Sequence, residues 1–119
     1  MDMQQLSQYL LAKPKTTLSF PFNQDVHVYK VNNKMFALLT WCNDCLMINL
    51  KCDPDDSLAL QDIFKSITPG YHMDKKHWIS ICLDGSVPEG EVHRLIDNSF
   101  KLVVSKMTKK AQHVILLHL

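Results

Sequence analysis

The segment Pro69-Gly70-Tyr71-His72-Met73-Asp74-Lys75-Lys76-His77-Trp78 concentrates aromatic, imidazole and ammonium groups more densely than any other stretch of the chain. Tyr71 and Trp78 offer flat faces for stacking, while His72, Lys75, Lys76 and His77 offer donors to anionic oxygens. Together these are the groups that proteins set against phosphates and unpaired bases. The competing reading is a solvated, charged loop with Trp78 packed beneath it.

Trp41-Cys42-Asn43-Asp44-Cys45 has the spacing of a redox dithiol, but that chemistry needs the first thiol at a helix N-terminus. Here Cys45 leads into a strand pattern, so a turn with reduced thiols is expected. Cys42 and Cys45 could meet His72 and His77, whose separation suits a pair of zinc ligands. A complete strand and helix intervene, and no metal or other cofactor is expected. Cys52 and Cys82 read as small, partly buried residues. Ser80, Ser99, His93 and Asp97 form a triad on paper only, which geometry must test. No nucleophile elbow, phosphate-cradling glycine loop, H-E-x-x-H pair or dinucleotide fingerprint occurs.

The elements that must position these residues follow from periodicity and caps. Asp2 caps a first helix with Leu6 and Leu10 on one face, stopped by Lys13-Pro14. Residues 15–25 form a connection with a short extended piece near Leu18 to Phe20. Three strand runs, Val26 to Val31, Met35 to Trp41 and Leu46 to Cys52, are joined by Asn32-Asn33 and Asn43-Asp44, which predicts an antiparallel meander. Leu46, Ile48 and Leu50 alternate with Met47, Asn49 and Lys51, so the Asn49/Lys51 face is expected to be open to solvent or a ligand.

Asp53-Pro54 then starts a helix with Leu60, Ile63, Phe64 and Ile67 as its stripe, ended by Thr68-Pro69-Gly70. His77 to Leu83 is a further strand. Pro88 opens a long helix striped by Val92, Leu95, Ile96, Ser99 and Val103, and Thr108 caps a last helix using Ala111, Val114, Ile115 and His118. Lys101, Lys106, Lys109 and Lys110 cluster near a helix end, where the helix dipole accounts for them. The fold class expected is α+β: one two-layer domain over residues 1–119, an antiparallel sheet packed against helices.

At 119 residues the chain can bury one core without staples. Its formal net charge of +1 contrasts with the strongly basic balance, pI above about 9, of an electrostatic nucleic-acid binder. The N-terminal stretch lacks the basic start and apolar run of a secretory signal, and no segment is apolar for long enough to cross a bilayer. A cytoplasmic monomer without membrane contact is expected.

Tyr29-Lys30-Val31, Lys34-Met35-Phe36-Ala37, Leu50-Lys51, the segment from Pro69 to Ser80, Leu83-Asp84-Gly85 and Ser99-Phe100 together resemble the YjbR/MmcQ family of small bacterial proteins. The most specific part is P-x-x-H-x-x-K-x-H-W, carried by Pro69, His72, Lys75, His77 and Trp78. The resemblance implies a two-layer α/β domain of a class described as predicted double-wing DNA binders. Phe100 stands where that family commonly has tyrosine, and Cys42 and Cys45 match none of its motifs.

The leading expectation is a non-enzymatic binding protein for nucleic acid, with DNA as partner. Lys30, Lys51, His72, Lys75, Lys76 and His77 would meet phosphates while Tyr71 or Trp78 stacks. A protein-interaction adaptor using the same sheet face is the alternative, and an enzyme on a small anionic substrate, with His72 or His77 as acid or base, is a third.

Overall fold

The computed structural model describes residues 1–117. Helix α1 (Met3–Leu11) begins where Asp2 accepts a hydrogen bond from the Gln5 amide at 2.8 Å while the Gln5 side chain accepts from the Asp2 amide at 3.1 Å. This reciprocal cap satisfies two amides that would otherwise lack partners. Strands β1 (Thr16–Ser19), β2 (His27–Val31), β3 (Lys34–Cys42) and β4 (Cys45–Lys51) follow. Asn32-Asn33 and Asn43-Asp44 all have positive φ, between 49° and 63°, as two-residue hairpin turns of the primed type require.

Asp53 caps α2 (Pro54–Ile63), with Asp55 and Asp56 in its first turn. Strands β5 (Ile67–Pro69) and β6 (Trp78–Cys82) lead to α3 (Glu89–Ser105) and α4 (Lys109–Leu116). Thr108 caps α4 by accepting from the Ala111 amide. The expected α+β arrangement holds, with β1 and β5 as additional short strands at the two edges. His118, which the periodicity assigned to the last helix, lies outside the described residues.

The six strands form one antiparallel sheet in the order β1-β2-β3-β4-β6-β5. One face carries Tyr29, Leu39, Ile48, Leu50, Ile79 and Ile81 and packs with Leu6 and Leu10 of α1 and Val92, Leu95, Ile96 and Phe100 of α3. Each fully buried aliphatic side chain of this set contributes roughly 1.5–3 kcal/mol. A β-bulge breaks the β2–β3 register between Tyr29 and Lys30. Beside it, Ser99 Oγ accepts the Lys51 amide at 2.9 Å and donates to the Phe36 carbonyl at 2.5 Å. A helix hydroxyl thus replaces a missing ladder bond.

Three expectations are corrected. Helix α2 ends at Ile63, because Phe64 turns to extended backbone (φ −121°, ψ 118°). Phe64 and Ile67 therefore reach the core from outside the helix, and Ile63 points to solvent, 69% exposed. The Asn49/Lys51 face is only partly open: Met47, Asn49 and Ser80 are buried, while Lys51 and Trp78 are half-buried. The thiols are not all reduced: Cys45 and Cys82 form a disulfide joining β4 to β6, leaving Cys42 and Cys52 free. Cys45 and Cys82 lie on one sheet face, two residues out of direct register, which brings their Cα atoms to 6.1 Å, within disulfide reach.

The strand directions also gather several lysines. Lys15, Lys34 and Lys51 adjoin the end of the sheet where β1 and β3 start and β4 finishes, and Lys106, Lys109 and Lys110 lie at the α3–α4 junction. Asp53 and Asp74 adjoin that same end of the sheet, and Asp25, Asp44, Lys65 and Asp84 adjoin the opposite one.

Candidate functional site

The bend over residues 70–77 is built on the start of β6. Gly70 donates its amide to the Trp78 carbonyl at 2.9 Å, so close that a Cβ on residue 70 would stand 2.7 Å from the Trp78 Cβ. Only glycine fits that approach. The Tyr71 amide donates to Ser80 Oγ at 2.7 Å, and Ser80 Oγ donates to the Asn49 side-chain oxygen. His72 then takes a left-handed backbone conformation, φ 57°, reversing the chain.

Farther along, Lys75 Nζ donates to the Gly70 carbonyl at 3.3 Å, and Asp74 accepts from the Lys76 amide at 3.0 Å. The His77 ring contacts Asp74 Oδ2 at 2.9 Å. The hydrogen bond from His77, followed by that from the Lys76 amide, holds the Asp74 carboxyl below its ordinary range.

This bend and the segment before β2 enclose a cleft of about 410 Å³ on the covered face of the sheet. Leu38, Thr40, Met47 and Asn49 line it from the strands, Phe22 and Val26 from one side, and Tyr71, His72 and Met73 from the other, with Trp41 and Cys42 also in its wall. The aromatic groups face solvent: Phe22 is 67% exposed, Trp41 58% and Tyr71 50%. Tyr71 and His72 lie 4.1 Å apart between ring centroids. An apolar cleft with exposed rings beside it suits a flat or apolar group.

Of the residues singled out by sequence, Tyr71 and His72 line this cleft. Lys75, Lys76 and His77 are exposed on the same bend without lining it, and Trp78 is half-buried beneath Gly70. Lys51 is the cross-strand partner of Trp78, but it lines a separate depression at the basic end of the sheet. Lys30 lies at that end too, opposite Thr17 and Met35. The single basic and aromatic patch expected from sequence is therefore two groups. Phe22, Trp41 and Cys42 were not singled out for this role. Phe22 stands in a connection without periodicity, and Trp41 and Cys42 read first as part of a dithiol motif.

The other constellations do not assemble. Ser80 bonds within the bend and Ser99 within the bulge, while Asp97 accepts from the Tyr9 hydroxyl at 2.7 Å and pairs with Lys13. His93 stacks on the Tyr9 ring at 3.9 Å. Cys45 is committed to Cys82, and among the described residues no group of three His, Cys, Asp or Glu side chains converges as metal ligands would. Nor does the cleft unite both imidazoles of the bend, since His72 lines it and His77 does not.

Comparison with known proteins agrees with this architecture. The chain is 40% identical to the protein YbdF of Escherichia coli O157:H7 over 116 residues, covering 94% of this chain and 95% of that one. It is 26% identical to YjbR of Escherichia coli K12 over 115 residues, covering 97% and 98%. A crystal structure from Deinococcus radiodurans superposes with a TM-score of 0.88 at 34% identity, covering 94% of this chain and 86% of that one. One from Pseudomonas syringae gives 0.74 at 33%, covering 86% and 98%. The family described as YjbR matches residues 11–102, and on that match and the likeness to YbdF the chain belongs to the YjbR family.

Proposed function

We propose that this protein is a non-enzymatic binding module for nucleic acid that takes an unpaired base into the cleft beside residues 71–73. The observation that carries this reading is the pair of solvent-facing aromatic residues Phe22 and Tyr71 on either side of an apolar cleft. Each base stacked on such a ring contributes about 1–3 kcal/mol without requiring sequence readout. Lys75 and Lys76 are exposed on the adjoining bend and would meet the flanking phosphates. DNA is the partner of choice on the resemblance to double-wing binders, and the protein would act as a cytoplasmic monomer. A reducing cytoplasm would oppose the Cys45–Cys82 bond.

The test is a titration of labelled single-stranded and duplex DNA between about 50 and 200 mM salt, where phosphate contacts impose a steep salt slope. Single strands should bind more tightly than duplex, and Phe22→Ala and Tyr71→Ala should each weaken binding roughly tenfold. No binding at the lower salt concentration overturns the proposal.

The apolar strand residues Leu38 and Met47 in the cleft wall favour a second reading, an adaptor holding an apolar peptide segment. That reading predicts binding indifferent to salt and to Lys75→Ala.

A further inference from the structure

We infer that a second site, for a linear chain of phosphates, lies at the basic end of the sheet, between the Asn32-Asn33 turn and the start of α4. Two depressions of about 500 and 510 Å³ adjoin there and share Asn32, Thr108 and Ala111. Lys15 and Lys110 line one; Lys34, Lys51 and Lys106 line the other. No aspartate or glutamate lines either, and among the described residues none of these ammonium groups is paired with a carboxylate.

The arrangement works against the stability of the bare protein. Like charges gathered around one groove repel each other, in a chain whose formal net charge is only +1. The helix dipole accounts for Lys106 at the end of α3 but not for Lys109 and Lys110, which occupy the first turn of α4, the end where the dipole disfavours cations. Lys15 adds a left-handed backbone conformation, φ 59°, uncommon for a residue with a side chain. A bound anion would relieve the repulsion and complement the helix end together.

The two-lobed shape indicates the form of the ligand. A single phosphate would reach the lysines of one lobe, whereas a chain with a charge at every link can lie across both. The Asn32 side chain, at the boundary between the lobes, offers a neutral donor to the linking oxygens. This site does not require the base-stacking cleft; a nucleic-acid backbone and inorganic polyphosphate share the chemistry it recognises.

The experiment follows backbone amide resonances in labelled protein during separate titrations with tripolyphosphate, a short single-stranded oligonucleotide and poly-glutamate. The phosphate chains should shift Asn32, Asn33 and Lys109 to Ala111, and Lys34→Ala/Lys110→Ala should weaken both roughly tenfold and lower the salt slope for the strand by about 1.5. The Lys34→Arg/Lys110→Arg variant should restore binding. If tripolyphosphate alone shifts them, polyphosphate is the ligand; if the strand also does, the backbone is recognised. The inference is overturned if neither phosphate chain moves these amides, if the double alanine variant binds as tightly with the same slope, or if poly-glutamate binds more tightly. A strand that shifts only the residues around Tyr71, with tripolyphosphate moving none of the groove amides, sinks this site and spares the function proposed above; shifts confined to the lysine groove do the reverse.

Discussion

The Ser80 hydroxyl donates to the Asn49 side-chain carbonyl across the β4–β6 pair, and both residues are 1% exposed. The same hydroxyl accepts the Tyr71 amide, so one buried oxygen fastens the cleft-lining bend to the sheet. Ser80→Ala should destabilise the protein by about 1–3 kcal/mol, because Asn49 loses its donor and Tyr71 its acceptor. Urea unfolding measures the loss. Amide exchange at Tyr71 should quicken well beyond that global change; an unaltered exchange rate would show that the bend does not depend on this contact.

Gly70→Ala places a methyl group 2.7 Å from the Trp78 Cβ and 3.1 Å from the Trp78 carbonyl oxygen. Neither neighbour is the far end of a flexible side chain, so the bend must shift. We expect a loss of about 2 kcal/mol, read by thermal unfolding, and weaker binding at the cleft. Wild-type stability in this variant would contradict the packing.

The Cys45–Cys82 bond has a sequence separation of 37 residues, which corresponds to about 4 kcal/mol of loop-closure stabilisation. Cys82→Ser and mild reduction should lower stability by the same amount, whereas Cys42→Ser should leave the bond intact. Of the free thiols, Cys52 is pushed up to about 11 by burial, then by Asp56 and Asp53, with Arg94 acting in the opposite sense. An alkylating reagent near neutral pH should therefore label Cys42 first, since the thiolate is the reactive form. Mass mapping that found Cys52 labelled before Cys42 would refute this.

Acid and alkali should act on one cluster. Asp97 is disfavoured as an anion by partial burial, yet the hydrogen bonds from Lys13 and Tyr9 outweigh this and hold its carboxyl below the usual 3.8. Its contribution is present above pH 3.8 and is lost as pH falls through the lower, folded value. Tyr9 is raised from 10.0 to about 12, by burial first and then by its hydrogen bond to Asp97. Its contribution is complete below pH 10 and is lost as pH rises toward 12. Tyr9→Phe should flatten the alkaline limb of a stability–pH curve and leave Lys13–Asp97 to shape the acid limb; an unchanged alkaline limb would contradict this assignment.

What was legible in the sequence was local. The Asp2, Asp53 and Thr108 caps and the Asn32-Asn33 and Asn43-Asp44 turns act within a few residues of themselves, and each stands where expected. The Asn49 face was misjudged because alternation in β4 reads the same whether the second face meets water or is covered. Its cover comes from Val26 and from the bend near Tyr71, both remote in the chain. The Cys82 partnership and the meeting of Lys15 with Lys110 were hidden for the same reason, since both depend on sheet order rather than spacing.

The gathering of Lys15, Lys34, Lys51, Lys106 and Lys110 around two adjoining depressions gives the molecule a local field that its sum of charges conceals. A polyanion some distance away would feel this field before contact and be turned toward the groove. Such alignment raises the fraction of productive collisions and fades as the ionic atmosphere shortens the reach of the field.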